Sequence, residues 1–211
     1  MGLVIKFHMP LCFEHQSTSQ SIFKFGINCY FSFAVLCAIL IYVRRLTLLR
    51  HAKSSWKDTE LADIDRPLNK RGRRDAKIMG AACAGRMTPP EIALISPAKR
   101  VDETIELFFE AWMVAKPTII KVDELYQAGM ADWIKTVKSY SGEARHLLAC
   151  GHQPSLGDFA AWLCKEAIGE LPTATAISIL FLDGQLDENT GNLDFVVRPK
   201  EVSGGENSPG V

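Results

Sequence analysis

The stretch "LTLLRHAKSSW", residues 46–56, opens on a short apolar run and breaks abruptly into Arg50 and His51. Leucines around one β-branched residue read as a short strand buried on both faces. Such strands belong to parallel sheets covered by helices. In those folds the chemistry sits just beyond the carboxyl ends of the strands. Two adjacent basic side chains at such an exit are candidates for a site.

The pattern continues along the chain. "IALIS" (92–96), "TIIKV" (118–122), "HLLAC" (146–150), "TAISILFL" (175–182) and "LDFVV" (193–197) read as further strands. Helical segments alternate with them at 69–85, 97–114, 130–140 and 155–168. Asn69 is the expected N-cap of the first helix and Gly85 its stop. Gly72, Ala76 and Gly80 recur every four residues, so one face of that helix is small enough to approach a sheet closely. Ser96 is the expected N-cap of the second helix, with Pro97 at its first position. The alternation implies an α/β fold, a three-layer α/β/α sandwich around a mainly parallel central sheet.

The chain has 211 residues, 47% apolar and 23% charged, within the range of a globular domain. Lysines and arginines number 24, as do aspartates and glutamates, so nothing in the overall charge points to nucleic acid. Cys12, Cys29, Cys37, Cys83, Cys150 and Cys164 show no CxxC pair. This implies a reducing compartment, cytoplasm or organelle, with no disulfide framework and no zinc site.

Residues 1–45 differ from the rest, with Lys6, Lys24, Arg44 and Arg45 against Glu14 alone. From Cys29 to Val43 there are 15 residues interrupted only by Ser32, and Arg44 and Arg45 follow. A helical span takes about 20 apolar residues. Residues 25–43 are therefore read as a candidate membrane tether, alternatively as a targeting leader or an extension foreign to the domain. The domain is expected over residues 46–200, with a disordered tail over 201–211.

Four exits converge on one edge of the expected sheet: Arg50-His51, then Ser96 to Arg100, then Asp123-Glu124, then Gly151-His152. Two guanidiniums and imidazoles there suit a phosphoryl group, since arginine pairs with phosphate in a bidentate fork. A helix amino terminus after Ser96 would favour the same anion. A neutral imidazole beside it can attack phosphorus.

These residues resemble the histidine phosphatase superfamily, whose signature is usually Arg-His-Gly. "LLRHAKSSW", "DRPLNKRG" followed by Ala76, "SPAKRVDET" and "GHQPSLGDFAAWL" are similar to its blocks in order, most of all to those of the phosphohistidine phosphatase branch. The resemblance implies a phosphoglycerate mutase-like fold and a phosphatase that uses no cofactor or metal. It implies His51 as the nucleophile, with Arg50, Arg100 and His152 binding the phosphoryl group. Glu124 is the nearest match to a general acid, with Asp123 beside it. Lys57 stands where many relatives carry an asparagine that touches phosphate. Lys53 and Lys57 also read as a solvated basic rim. Ala52 replaces the usual glycine, which is tolerated if its φ stays negative. Ser96 and Thr104 are read as structural.

Only 23 residues separate Val122 from His146, which leaves little chain for a lid. An open site suits a phosphohistidine on a protein. The alternatives are a small phosphomonoester substrate, or a silent module that binds a phosphorylated ligand.

Overall fold

The computed structural model describes residues 44–203, apart from 113–115, 143 and 170. The candidate membrane segment 25–43 lies outside the described residues, as does the tail from 204 onward. Among the described residues no helix is long and apolar enough to cross a membrane.

Six strands form one sheet in the order β3-β2-β4-β1-β5-β6. They are β1 (Arg44–Arg50), β2 (Ile92–Ile95), β3 (Thr118–Lys121), β4 (His146–Gly151), β5 (Ala176–Phe181) and β6 (Asn192–Val197). Pairings among β1, β2, β3 and β4 are parallel, and β5 runs antiparallel to both of its neighbours. The mainly parallel sheet is therefore as expected. Its helices are α1 (Lys70–Ala84), α2 (Lys99–Phe109), α3 (Met130–Ser141), α4 (Ser155–Cys164) and the short α5 (Pro199–Ser203).

Side chains alternate between two cores because successive strand residues point to opposite faces. On one face Leu49, Ile95, Leu148 and Cys150 pack with Met79 of α1 and Ile105 and Phe108 of α2. On the other, Leu46, Leu48, Leu94 and Ala149 pack with Trp133 of α3 and Phe159 of α4. This is the three-layer sandwich. Cys83, Cys150 and Cys164 are free and buried. Burial pushes the Cys150 thiol far above its ordinary range, so it behaves as a small apolar residue.

Several local expectations change. β1 begins at Arg44, so Arg44 and Arg45 belong to the sheet rather than to the leader. Arg45 pairs in register with His146 and with Leu180, and its guanidinium meets Asp194 of β6. Residues 201–203, expected in the tail, close the helix α5. Asn69 does cap α1, accepting from the Gly72 N–H at 2.8 Å. The small face of α1 approaches other backbone, however, rather than the sheet. A Cβ on Gly72 would lie 2.2 Å from the Lys53 carbonyl oxygen, and one on Gly80 would lie 2.0 Å from that of Phe108 in α2.

Candidate active site

The exits of β1 and β4 are locked side by side. Arg50 pairs in register with Gly151, and the His51 N–H donates to the Gly151 carbonyl at 3.1 Å. On the other side Arg50 donates its N–H to Thr175, ahead of β5, at 3.0 Å. This places Arg50, His51, Arg100 and His152 around one cavity of about 360 Å³, together with Tyr126 and Gln127.

His51 is held by its own chain. Its Nδ1 lies 2.8 Å from the Ala52 carbonyl oxygen. A carbonyl only accepts, so Nδ1 carries the proton and Nε2 keeps a free lone pair. Burial pushes the His51 pKa down to about 3, aided by the charges of Arg100 and Arg50 against the opposing effect of the Ala52 bond. The ring is thus neutral near pH 7. A neutral imidazole with a free Nε2 is competent as a nucleophile. Ala52 is fully buried, its φ is not positive, and its N–H donates to Thr104 Oγ1 at 3.0 Å. Thr104 Oγ1 in turn donates to the Arg100 carbonyl. Thr104 therefore ties the loop after β1 to the first turn of α2, the structural role expected of it.

His152 stands with its ring centroid 5.0 Å from that of His51. Its Nε2 is 2.9 Å from Ser96 Oγ, and its Nδ1 is 3.4 Å from Arg100 Nη2. A guanidinium only donates, so Nδ1 accepts and Nε2–H donates to the serine. Burial pushes its pKa down to about 4, with Arg100 acting in the same direction and Asp63 against it. Ser96 was expected to cap α2. Instead α2 starts at Lys99, and its N-cap, Ala98, makes no side-chain cap bond. Ser96 is fully buried against His152. Pro97 signalled the helix start correctly in kind but two residues early.

The arginines differ in their ties. Arg50 Nη1 donates to the Leu171 carbonyl, while its Nε is buried with no partner among the described residues. A buried guanidinium N–H without an acceptor is costly, and an anion in the cavity would satisfy it. Arg100 is bound by Asp63, through the carboxylate at 2.8 Å and through the backbone carbonyl.

Asp63 is the residue that the sequence did not reveal. It lies in a 3-10 turn, Asp63–Asp65, far from any strand exit. Its other oxygen meets Arg66 at 2.7 Å, and Tyr126 donates its hydroxyl at 3.0 Å. Arg66 is itself braced by Ser54 and by the face of Trp56, 3.2 Å from the ring centroid. Partial burial pushes the Asp63 carboxyl up, but the bonds from Arg100 and Tyr126 and the charges of Arg100 and Arg66 hold it below its ordinary value. It is therefore a carboxylate, a counter-ion that orients Arg100.

Two expected residues are not brought to the site. Glu124 is exposed in the turn Asp123–Leu125 and lines a separate cavity with Lys135 and Tyr140. The chain reaches the site two residues later, at Tyr126 and Gln127. Lys57 is exposed and lines a groove with Lys70 and Arg73. Asp123 and Lys53 are also exposed.

With both histidines neutral, Arg50 and Arg100 give the cavity two positive charges beside one carboxylate. Such an arrangement suits a phosphoryl dianion and charge on its oxygens.

Known proteins resemble this chain in sequence and in fold. A chloroplastic protein of Arabidopsis thaliana, itself uncharacterized, is 46% identical over 63 residues, 30% of this chain and 29% of that protein. The fold matches the SixA protein of Agrobacterium tumefaciens with a TM-score of 0.64 and 25% identity, over 74% of this chain and 98% of the other. It also matches a protein histidine phosphatase SixA complexed with tungstate, with a TM-score of 0.65 and 21% identity, over 75% and 99% of the two chains. Residues 46–153 match the family model of the histidine phosphatase superfamily, branch 1, and the chain belongs to that superfamily.

Proposed function

We propose that the protein hydrolyses phosphohistidine on other proteins, through a phosphohistidine intermediate on His51. Arg50 and Arg100 hold the phosphoryl oxygens, and His152, whose Nδ1 accepts from Arg100, orients that guanidinium. Nε2 of His51 attacks phosphorus in line as the P–N bond of the substrate breaks. The departing imidazole leaves neutral, its other nitrogen protonated by solvent. Water then attacks the phosphorus on His51, an O–P bond forms, the His51 P–N bond breaks, and inorganic phosphate leaves.

The observation that carries the reading is the state of the carboxylates. Cleaving an alkyl phosphate ejects an alkoxide and profits from a protonated acid nearby. Glu124 faces a separate cavity, and Asp63 is kept ionised by two arginines and a tyrosine hydroxyl. A protonated imidazole is a good leaving group and makes no such demand. The branch resemblance and the fold likeness to SixA support the same reading.

The test compares kcat/KM for a phosphohistidine protein with that for phosphoserine peptides and sugar phosphates, with and without EDTA. The expected outcome is a preference for phosphohistidine that persists in the chelator. Turnover of sugar phosphates with none of phosphohistidine protein would contradict it.

A further inference from the structure

Arg50, Gln153 and Pro154 wall not one cavity but two. Besides the catalytic cavity they border a cleft of about 520 Å³ between the first turns of α4 and the loop that leads into β5. The first cavity alone, about 360 Å³ in volume, has room for a phosphoryl group. The second is within the range of about 300–1,000 Å³ typical of ligand pockets.

Its chemistry differs from that of the phosphate site. Ala161, Ile168 and Leu171 give it apolar walls, and Asp158 contributes a carboxylate. Asp158 is exposed, and its side chain has no ion pair or hydrogen bond among the described residues. Residue 157, which borders the cleft, is glycine. A Cβ there would lie 3.0 Å from both amide atoms of Gln153 and 3.3 Å from the Leu171 side chain. The Gly157 N–H instead fixes Gln153 Oε1 at 2.9 Å, which pins the residue shared by the two cavities. Arg50 also ties the cleft to the chemistry, since its Nη1 holds the Leu171 carbonyl in the cleft wall.

We infer that this cleft receives the polypeptide beside the phosphorylated side chain, seating an aliphatic residue against Ala161, Ile168 and Leu171 and a cationic one toward Asp158. The inference rests on the reading of the protein as a phosphatase of phosphoproteins. Continuity with the phosphate site sets the occupant: whatever carries the phosphoryl group must leave past Arg50, Gln153 and Pro154. Apolar walls with one unpaired carboxylate complement an aliphatic side chain next to lysine or arginine. The free amide N–H groups of Gln153 are placed to meet a backbone carbonyl at the junction.

Two variants test it, Asp158→Lys on the exposed rim and Ala161→Leu within the cleft. The readout is the ratio of kcat/KM for a phosphohistidine protein to that for phosphoramidate, a P–N phosphodonor with nothing to fill the cleft. The ratio is expected to fall about tenfold in Asp158→Lys and severalfold in Ala161→Leu. An unchanged ratio in Asp158→Lys, which alters only an exposed side chain, would overturn the inference alone. A wild-type protein inert toward phosphohistidine protein would overturn the parent reading, and this one with it.

Discussion

The imidazoles of His51 and His152 stand 5.0 Å apart, centroid to centroid, with their planes inclined by 57°. Two imidazolium rings at that distance would repel each other, beside two guanidiniums already present. Burial keeps both neutral, with pKa values of about 3 and 4. The nucleophile thus needs no base to free its lone pair. After correction for ionisation of the substrate, kcat/KM is expected to be level from pH 7.5 to 5.5. A limb centred near 6.5, the ordinary imidazole value, would show that His51 is not so buried in the working enzyme.

The same burial links stability to pH. His146 is 3% exposed, with Nδ1 on the Thr88 carbonyl and Nε2 on Thr47 Oγ1. Burial pushes its pKa down to about 4, although the Thr88 bond opposes this. As pH falls through 6.5 the unfolded chain takes up a proton that the folded one refuses. Stability is therefore full above 6.5 and declines toward 4 by about 1.4 kcal/mol per pH unit for such a ring. His51 and His152 act in the same sense. The urea midpoint should be lower at pH 5 than at pH 7.5, and an equal or higher one would contradict this.

Ser96 holds the ring of His152 and does not itself line the cavity. Ser96→Ala should lower kcat about tenfold, less than the hundredfold or more lost with a direct donor to the reacting oxygens. Ser96→Thr, which keeps the hydroxyl, should recover most of the loss. An alanine variant with normal kcat would remove Ser96 from the site.

Glu124→Gln should leave kcat and KM for phosphohistidine protein within twofold of wild type, because its side chain faces a separate cavity. A loss of two orders of magnitude would restore Glu124 as the acid and with it an alkyl phosphate substrate.

The junction between α1 and α2 has no slack. Gly80→Ala would set a Cβ 2.0 Å from the Phe108 carbonyl oxygen, and backbone must move to admit it. Overpacking of this kind costs about 1–3 kcal/mol, set against a gain in helix propensity of up to about 1 kcal/mol. Thermal unfolding should show a net loss of stability, and an unchanged or raised Tm would contradict the close approach.

How much of this was legible depends on how each residue reaches the site. Arg50, His51, Arg100 and His152 follow strands whose apolar runs are strong signals, so the topology of a mainly parallel sheet gathers them at one edge. Ser96 also lies at an exit, but Pro97 made it resemble a helix cap. Its hydroxyl meets His152 instead, because α2 starts only at Lys99. Asp63 gave no local signal, because it reaches Arg100 across a loop through a tertiary ion pair. Glu124 was near enough in sequence to mislead. The 3-10 turn Asp123–Leu125 leaves it exposed and delivers Tyr126 instead. Arg44 and Arg45 looked like the flank of an apolar leader, yet strand pairing with β4 and β5 claims Arg45 and pairing with β5 claims Arg44.

The central claim is that His51 carries the phosphoryl group. Rapid acid-free quenching during turnover of a radiolabelled phosphodonor measures this directly. The account predicts acid-labile, base-stable phosphate on His51 that chases into inorganic phosphate, and none on a folded His51→Ala variant. Label of the same stability on His51→Ala, or full turnover by that variant, would contradict it.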